Sequence, residues 1–285
     1  MSQNETLSDG NTYVVDAENA AEMARLMMLA AQLSEDMGSL FPPQLDLSST
    51  HRVLDIACGP GQWVRDVARA YPRMQVTGGD ISHLMIAYAS TLITDLPNAH
   101  FQLMDAQQAL LFPDQSFDFI QARLITAFML TSAWPRLLAE CHRLLRPGGT
   151  LCLIEGETCG ISNSAALEQM NALVARAMRQ AGHCFAPEGN MFGITPVLPR
   201  LLKDQGFQQI EQRAFALNFS AGKKANEVMY ANHKTGFKLV QPFLLQRDVT
   251  TQDELNVIYE RALYDMQAPD FCGQLFYLAV AGKKA

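Results

Sequence analysis

The chain has 285 residues, 48% of them hydrophobic and 18% charged, which supplies a sizeable core and excludes a disordered chain. Lys and Arg number 22 against 29 Asp and Glu, a formal charge of −7 with no basic run to track phosphates, so nucleic acid is excluded as an expected partner. No stretch of about 18 uninterrupted apolar residues is present and the start, MSQNETLSDGN, lacks a basic and then apolar leader, so no membrane association and a cytoplasmic location are expected.

Residues 1 to 12 read as loose. Asp16 is the candidate cap of a helix in which Met23, Leu26, Met27, Ala30, Leu33 and Met37 recur at helical spacing, ended by Gly38 and Pro42-Pro43. A strand, HRVLDIAC, follows, then the turn Gly59-Pro60-Gly61 and a helix, QWVRDVARAYP. The pattern repeats with strand MQVTGGD, helix HLMIAYASTLI, strand HFQLMD and, after a turn at Pro113-Asp114, strand SFDFIQA. A helix from Trp134 to Leu145 closes at Pro147-Gly148-Gly149, and TLCLIEGE is the fifth strand. Strands alternating with helices pair in parallel, because the helical crossover returns the chain to the same end of the sheet.

Beyond that core the rhythm changes. A helix from Ala165 to Gln180, an irregular Gly- and Pro-bearing stretch near 182 to 199 and a short helix before Gly206 lead to a strand over 207 to 219. Helices near 224 to 245 and 251 to 266 precede a last apolar strand, QLFYLAVAG. The expected fold class is α/β: a Rossmann-like doubly wound sheet, mostly parallel with an antiparallel last strand, plus a helical lid. The expected division is an N-terminal helical cap segment (1 to 45), the Rossmann-like core (46 to 160), and lid insertions with the last two strands (161 to 285).

In such a sheet ligands bind beyond the carboxyl ends of the strands, where strand order reverses. Three successive strands there end in an aspartate: Asp55 before the glycine turn, Asp80 followed by Ile81, and Asp105 followed by Ala106. A dinucleotide fingerprint would need a third glycine where Val64 stands, and Pro60 removes a backbone donor while Asp55 adds negative charge, so a diphosphate is poorly served. A ligand bearing a positive charge, ribose hydroxyls and an exocyclic amine suits the same carboxylates. Asp80 is spaced for a ribose diol and Asp105 for an adenine amino group. Taken alone, each aspartate has the plainer reading of turn chemistry.

In the order VLDIACGPG, GGDIS, MDAQ and LLRPGGTLCLIEGE the sequence resembles the small-molecule branch of the class I S-adenosylmethionine-dependent methyltransferases over about residues 10 to 220. The resemblance implies S-adenosylmethionine as cofactor, with Ala57, Gly59 and Gly61 along its methionine part, Asp80 and Ile81 at the ribose, and Asp105 with Ala106 at the adenine. Tyr13, with Glu22 and Arg25, is similar to the family's opening pattern, in which the N-terminal helix closes over the cofactor. Arg123, after the fourth strand, is a candidate partner for the cofactor carboxylate. Without the cofactor these three read as residues of surface salt bridges.

Methyl transfer asks mainly for alignment and water exclusion, and for a base only where the nucleophile loses a proton. Glu155, Glu157 and His183 are the candidate bases, each with a structural alternative. The run from Leu124 to Leu130 and the lid residues Phe185, Met191 and Phe192 are candidate walls of an apolar acceptor pocket. Six scattered cysteines without a C-x-x-C pair, and histidines without ligand spacing, predict free thiols and no metal site. No N-P-P-Y type motif or basic aromatic groove is present, so the expected acceptor is a small metabolite. The alternatives are a protein that keeps the cofactor for structure, cyclisation or rearrangement and, more remotely, an NAD(P)-dependent oxidoreductase. Monomer and homodimer both remain open.

Overall fold

The computed structural model describes residues 12–285. The chain order is α1 (Ala20–Met37), β1 (Arg52–Ile56), α2 (Gln62–Ala70), β2 (Gln75–Asp80), α3 (His83–Thr91), β3 (Ala99–Leu103), β4 (Phe117–Arg123), α4 (Trp134–Leu144), β5 (Leu145–Gly156), β6 (Ile161–Ser162), α5 (Ala165–Gln180), α6 (Leu198–Asp204), β7 (Phe207–Asn218), α7 (Lys224–Gln246), α8 (Gln252–Asp265) and β8 (Gly273–Lys284). The eight strands form one sheet in the order β3-β2-β1-β4-β5-β8, with β7 and the short β6 both on β8. β1 to β5 pair in parallel, and β8 runs antiparallel to β5, β6 and β7.

Successive side chains of a strand point to opposite faces, and the central strands are apolar on both. Val53 and Phe119 join Trp63, Val64 and Val67 of α2 on one face. Leu54, Ile120, Leu151 and Leu153 meet Trp134, Leu137 and Leu138 of α4 and Leu198 and Leu202 of α6 on the other. Burial on both faces is what turns β4 into the continuous apolar run FDFI, its only buried charge being Asp118. That carboxylate accepts the backbone N–H groups of His51 (2.7 Å) and Arg52 (2.8 Å) and pairs with Arg146, tying the start of β1 to β5.

Some boundaries differ from the sequence expectation. Helix α1 is capped by Asn19, whose side chain accepts the N–H of Ala21, while Asp16 instead accepts the N–H of Glu18 in the preceding turn. β5 begins at Leu145 and carries Pro147-Gly148-Gly149 within it, because Leu145 pairs with Phe117 and a register irregularity absorbs the turn before Thr150 pairs with Phe119. The pair Ile161-Ser162 forms a short strand on β8 where none was expected. Helices α5, α7 and α8 pack on one another, and α7 lies against α1. No helix among the described residues is long and apolar enough to cross a membrane.

Replacing Asp118 with Ala leaves two backbone donors and the Arg146 guanidinium without their acceptor. Chemical denaturation should show a loss of about 3 kcal/mol relative to the parent chain, in the range for breaking a buried, charged hydrogen-bond cluster.

Candidate functional site

Strand order reverses beside β1: β2 and β3 lie to one side of it, β4 and β5 to the other. The crevice at their carboxyl ends is filled by the turn after β1, where Ala57 (φ 54°), Gly59 (φ 53°) and Gly61 (φ 78°) are all left-handed. At Gly61 a side chain is excluded twice over, since a Cβ would also sit 2.4 Å from the Phe101 ring. The turn is held to β2 by Asp80: the Gly59 N–H donates to Oδ2 at 2.8 Å and the Ser82 N–H to Oδ1 at 3.0 Å. The Gly59 donor is thereby spent within the protein, and with Pro60 beside it the loop has little left for a diphosphate. Burial raises the Asp80 pKa against these bonds.

A first cavity of about 1020 Å³, counting its mouth, opens over this turn. Asp80, Ile81, Asp105, Ala106, Ala57 and Gly59 all line it, as do Arg123 and Tyr13, and α1 covers it with Leu26, Leu29, Ala30 and Leu33. Asp105 also accepts the N–H of Gln107 at 2.8 Å, so the local turn bond and the cavity position coexist. Below the floor, burial pushes the Asp55 carboxyl up to about 6 against the opposing pull of Arg123 and a 3.3 Å bond from Gln121. Arg123 is half-buried at the end of β4, desolvation lowers its pKa, and among the described residues no hydrogen bond to its guanidinium is found.

Two expected cofactor residues lie elsewhere. Gly61 does not line the cavity, because it is turned under α2 as its N-cap against Phe101. Arg25 lines a second cavity instead, because the fully buried Glu22 holds it through two bonds, Nε to Oε2 at 2.7 Å and Nη2 to Oε1 at 2.5 Å. Burial disfavours the Arg25 charge, yet the Glu22 carboxylate outweighs it and raises the pKa. Nη1 of Arg25 donates to Asn232 of α7 at 2.8 Å, and the Tyr13 hydroxyl donates to Glu22 at 2.5 Å.

The second cavity, about 1050 Å³, abuts the first across Tyr13, Leu26, Leu29 and Leu124. Its walls come from α5 (Val174, Met178), α7 (His233, Phe237, Val240), β8 (Leu275, Tyr277) and the end of β5 (Glu155, Gly156). Glu155 accepts the Ile125 N–H at 2.7 Å and the Thr126 hydroxyl at 2.8 Å. Burial nevertheless pushes its carboxyl up to about 7.

His183 lines neither cavity; its Nδ1 lies 3.1 Å from the Met129 carbonyl, and burial lowers its pKa, so it is a structural histidine of the α5 exit rather than a group facing the site. Glu157 is likewise committed, its carboxylate accepting the N–H groups of Gly193 (2.6 Å) and Thr195. Of the expected acceptor walls, Leu124, Thr126, Ala127 and Phe192 line the second cavity and Phe128 the first. Ile125 and Met129 are core, Phe185 packs against the α4 face, and Met191 is exposed. The α7 and β8 residues escaped sequence reasoning, although Met229, His233, Phe237 and Val240 fall at helical spacing.

Residues 53–149 match the family model described as a methyltransferase domain. The methyltransferase pytC of Aspergillus terreus is 26% identical over 166 residues, 58% of this chain and 48% of that protein. A demethylmenaquinone methyltransferase of Symbiobacterium thermophilum is 30% identical over 142 residues, 49% of this chain and 55% of that one. The chain thus spans about half the length of these curated relatives. The crystal structure of a putative methyltransferase from Bacillus halodurans shares the fold, with a TM-score of 0.53 at 18% identity, covering 93% of this chain and 99% of that one. The glycine turn, the strand-end carboxylates and the sheet order agree with these likenesses, and residues 53–149 of the chain carry a methyltransferase domain.

Proposed function

We propose that the protein transfers a methyl group from S-adenosylmethionine to an oxygen, nitrogen or carbon of a small, partly apolar metabolite. The observation that carries this reading is the pair of abutting cavities, one bordered by Asp80 and Asp105 and the other walled mainly by apolar side chains with Glu155 at its edge, that meet at Tyr13, Leu26, Leu29 and Leu124. The names of the relatives, among them demethylmenaquinone methyltransferases, support a small acceptor with apolar character.

The residues of the first cavity suit the cofactor chemically. Each Asp80 oxygen accepts one backbone donor and keeps a lone pair for a ribose hydroxyl. Asp105 can accept from an adenine amino group, Arg123 offers an unspent guanidinium to a carboxylate, and Met85 and Met104 supply polarisable contact. The cofactor, when bound, supplies a methyl group already activated on a sulfonium. The protein's part is then to orient the acceptor and to exclude water, which α1 and α7 do by closing over the two cavities.

Glu155 is the proposed base where the acceptor must lose a proton, since a carboxyl held near 7 accepts protons efficiently at neutral pH. His183 is set aside because it faces neither cavity.

Isothermal titration with S-adenosylmethionine and with S-adenosylhomocysteine should give micromolar binding of both; failure of both with folded protein would overturn the reading. Asp80→Ala should weaken that binding by about 100-fold, since two charged hydrogen bonds hold the turn and the ribose site together, while circular dichroism stays that of the folded chain. For Glu155 the folded pKa lies above the unfolded one, so the folded state binds the extra proton between about pH 4.5 and 7 and stability falls as pH rises through that window. Denaturation at pH 5 and pH 8 should show the parent losing up to roughly 3 kcal/mol relative to Glu155→Gln, in which this decline is absent.

A further inference from the structure

The second cavity's polar side chains can be accounted for one by one. Arg25 is spent on Glu22 and Asn232, and Asn232 accepts from it through Oδ1. The Thr126 hydroxyl donates to Glu155, and the Thr158 hydroxyl accepts the Gly160 N–H at 3.0 Å. His233 sets Nδ1 2.7 Å from the Met229 carbonyl and Nε2 2.8 Å from the Cys159 carbonyl, and as the neutral imidazole that burial favours it gives its single N–H to one of them.

Three groups remain: the amide N–H2 of Asn232, next to the Arg25 guanidinium, the thiol of Cys159, a weak donor, and the hydroxyl of Tyr277. Tyr277 is 4% exposed, its ring lies over Gly156 (3.6 Å from Cδ1 to the position of a Cβ there), and its hydroxyl has no hydrogen-bond partner among the described residues. Its oxygen is not sealed off from the cavity, so its hydrogen is available to a ligand there. The Arg25 charge is neutralised by Glu22, so this cavity offers no spare cation to an anionic ligand.

We propose that Tyr277 is a specificity residue for the acceptor, donating a hydrogen bond to a carbonyl oxygen of an uncharged, largely apolar ring compound. This rests on the methyltransferase reading, because it takes the second cavity as the acceptor site. Phe237, Val240 and Leu275 surround the ring system, and the Tyr277 hydroxyl fixes which end of it faces the first cavity.

The test uses three probes with the protein saturated by S-adenosylhomocysteine: para-hydroxybenzophenone, para-benzylphenol, which replaces the carbonyl by a methylene, and a para-hydroxybiphenyl carboxylate. Calorimetry should show the ketone binding about tenfold more tightly than the methylene analogue, the worth of one neutral hydrogen bond, and the carboxylate weakest. Tyr277→Phe should erase the preference for the ketone while leaving para-benzylphenol and S-adenosylhomocysteine binding unchanged, the latter serving as the folding control. Equal affinity for ketone and methylene in the parent, a preference that survives in Tyr277→Phe, tightest binding of the carboxylate, or binding of none of the three would each overturn the proposal. Failure of S-adenosylhomocysteine itself to bind would instead overturn the cofactor assignment beneath it.

Discussion

The bond from the Gly59 N–H to the Asp80 carboxylate is the constraint on which the site depends. It joins the first turn after β1 to the end of β2 across the crevice, and so holds the left-handed path of residues 57 to 61 open rather than letting it fold down on the sheet. A parallel sheet whose order reverses beside β1 provides the crevice, but an undecorated crevice is only a gap. The carboxylate converts it into a rim with fixed acceptors, and Ser82, by bonding the Ala17 carbonyl at 2.9 Å, carries the same rim up to the segment that leads into α1.

Helix α1 is the second organising element, and it serves both cavities with different parts of its surface. Leu26 and Leu29 belong to each, Ala30 and Leu33 to the first, and Arg25 to the second. The buried Glu22 makes this possible, because it satisfies Tyr13 and Arg25 together and lets Arg25 reach Asn232 on α7. A buried ion pair seldom stabilises more than an apolar substitute would, and its value lies in fixing one arrangement. Here that arrangement is the seating of α1 on α7.

The fold was legible because the strong local signals agreed: the glycine turn, strands buried on both faces, and helices with clear stops at Gly38 and before Gly206. The first cavity was legible for the same reason, since its residues sit at strand ends whose positions the pattern already determined. Asp80, Asp105 and Arg123 needed no knowledge of distant contacts to be placed there. The second cavity was not legible, because its walls come from α5, α7 and β8, segments far apart in sequence that meet only through tertiary packing. His183 and Arg25 show the limit from the other side. A titratable residue in the right segment says nothing about which neighbour claims it, and Met129 and Glu22 claimed these two.

Strand β8 lies between β5 and β7, although more than a hundred residues of chain separate β5 from it. Closing so long a loop is entropically slow, and contacts of this separation set the pace at which mixed sheets form. The five parallel strands can assemble from near neighbours, whereas β5 keeps an edge of unpaired backbone N–H and C=O groups until Gly273–Lys284 docks. An unpaired edge of that kind invites pairing with other chains. The same late strand supplies Leu275 and Tyr277 to the second cavity. Maturation of this molecule therefore has a natural sequence, in which the half that resembles its relatives forms early and the half that distinguishes it is the last to take shape.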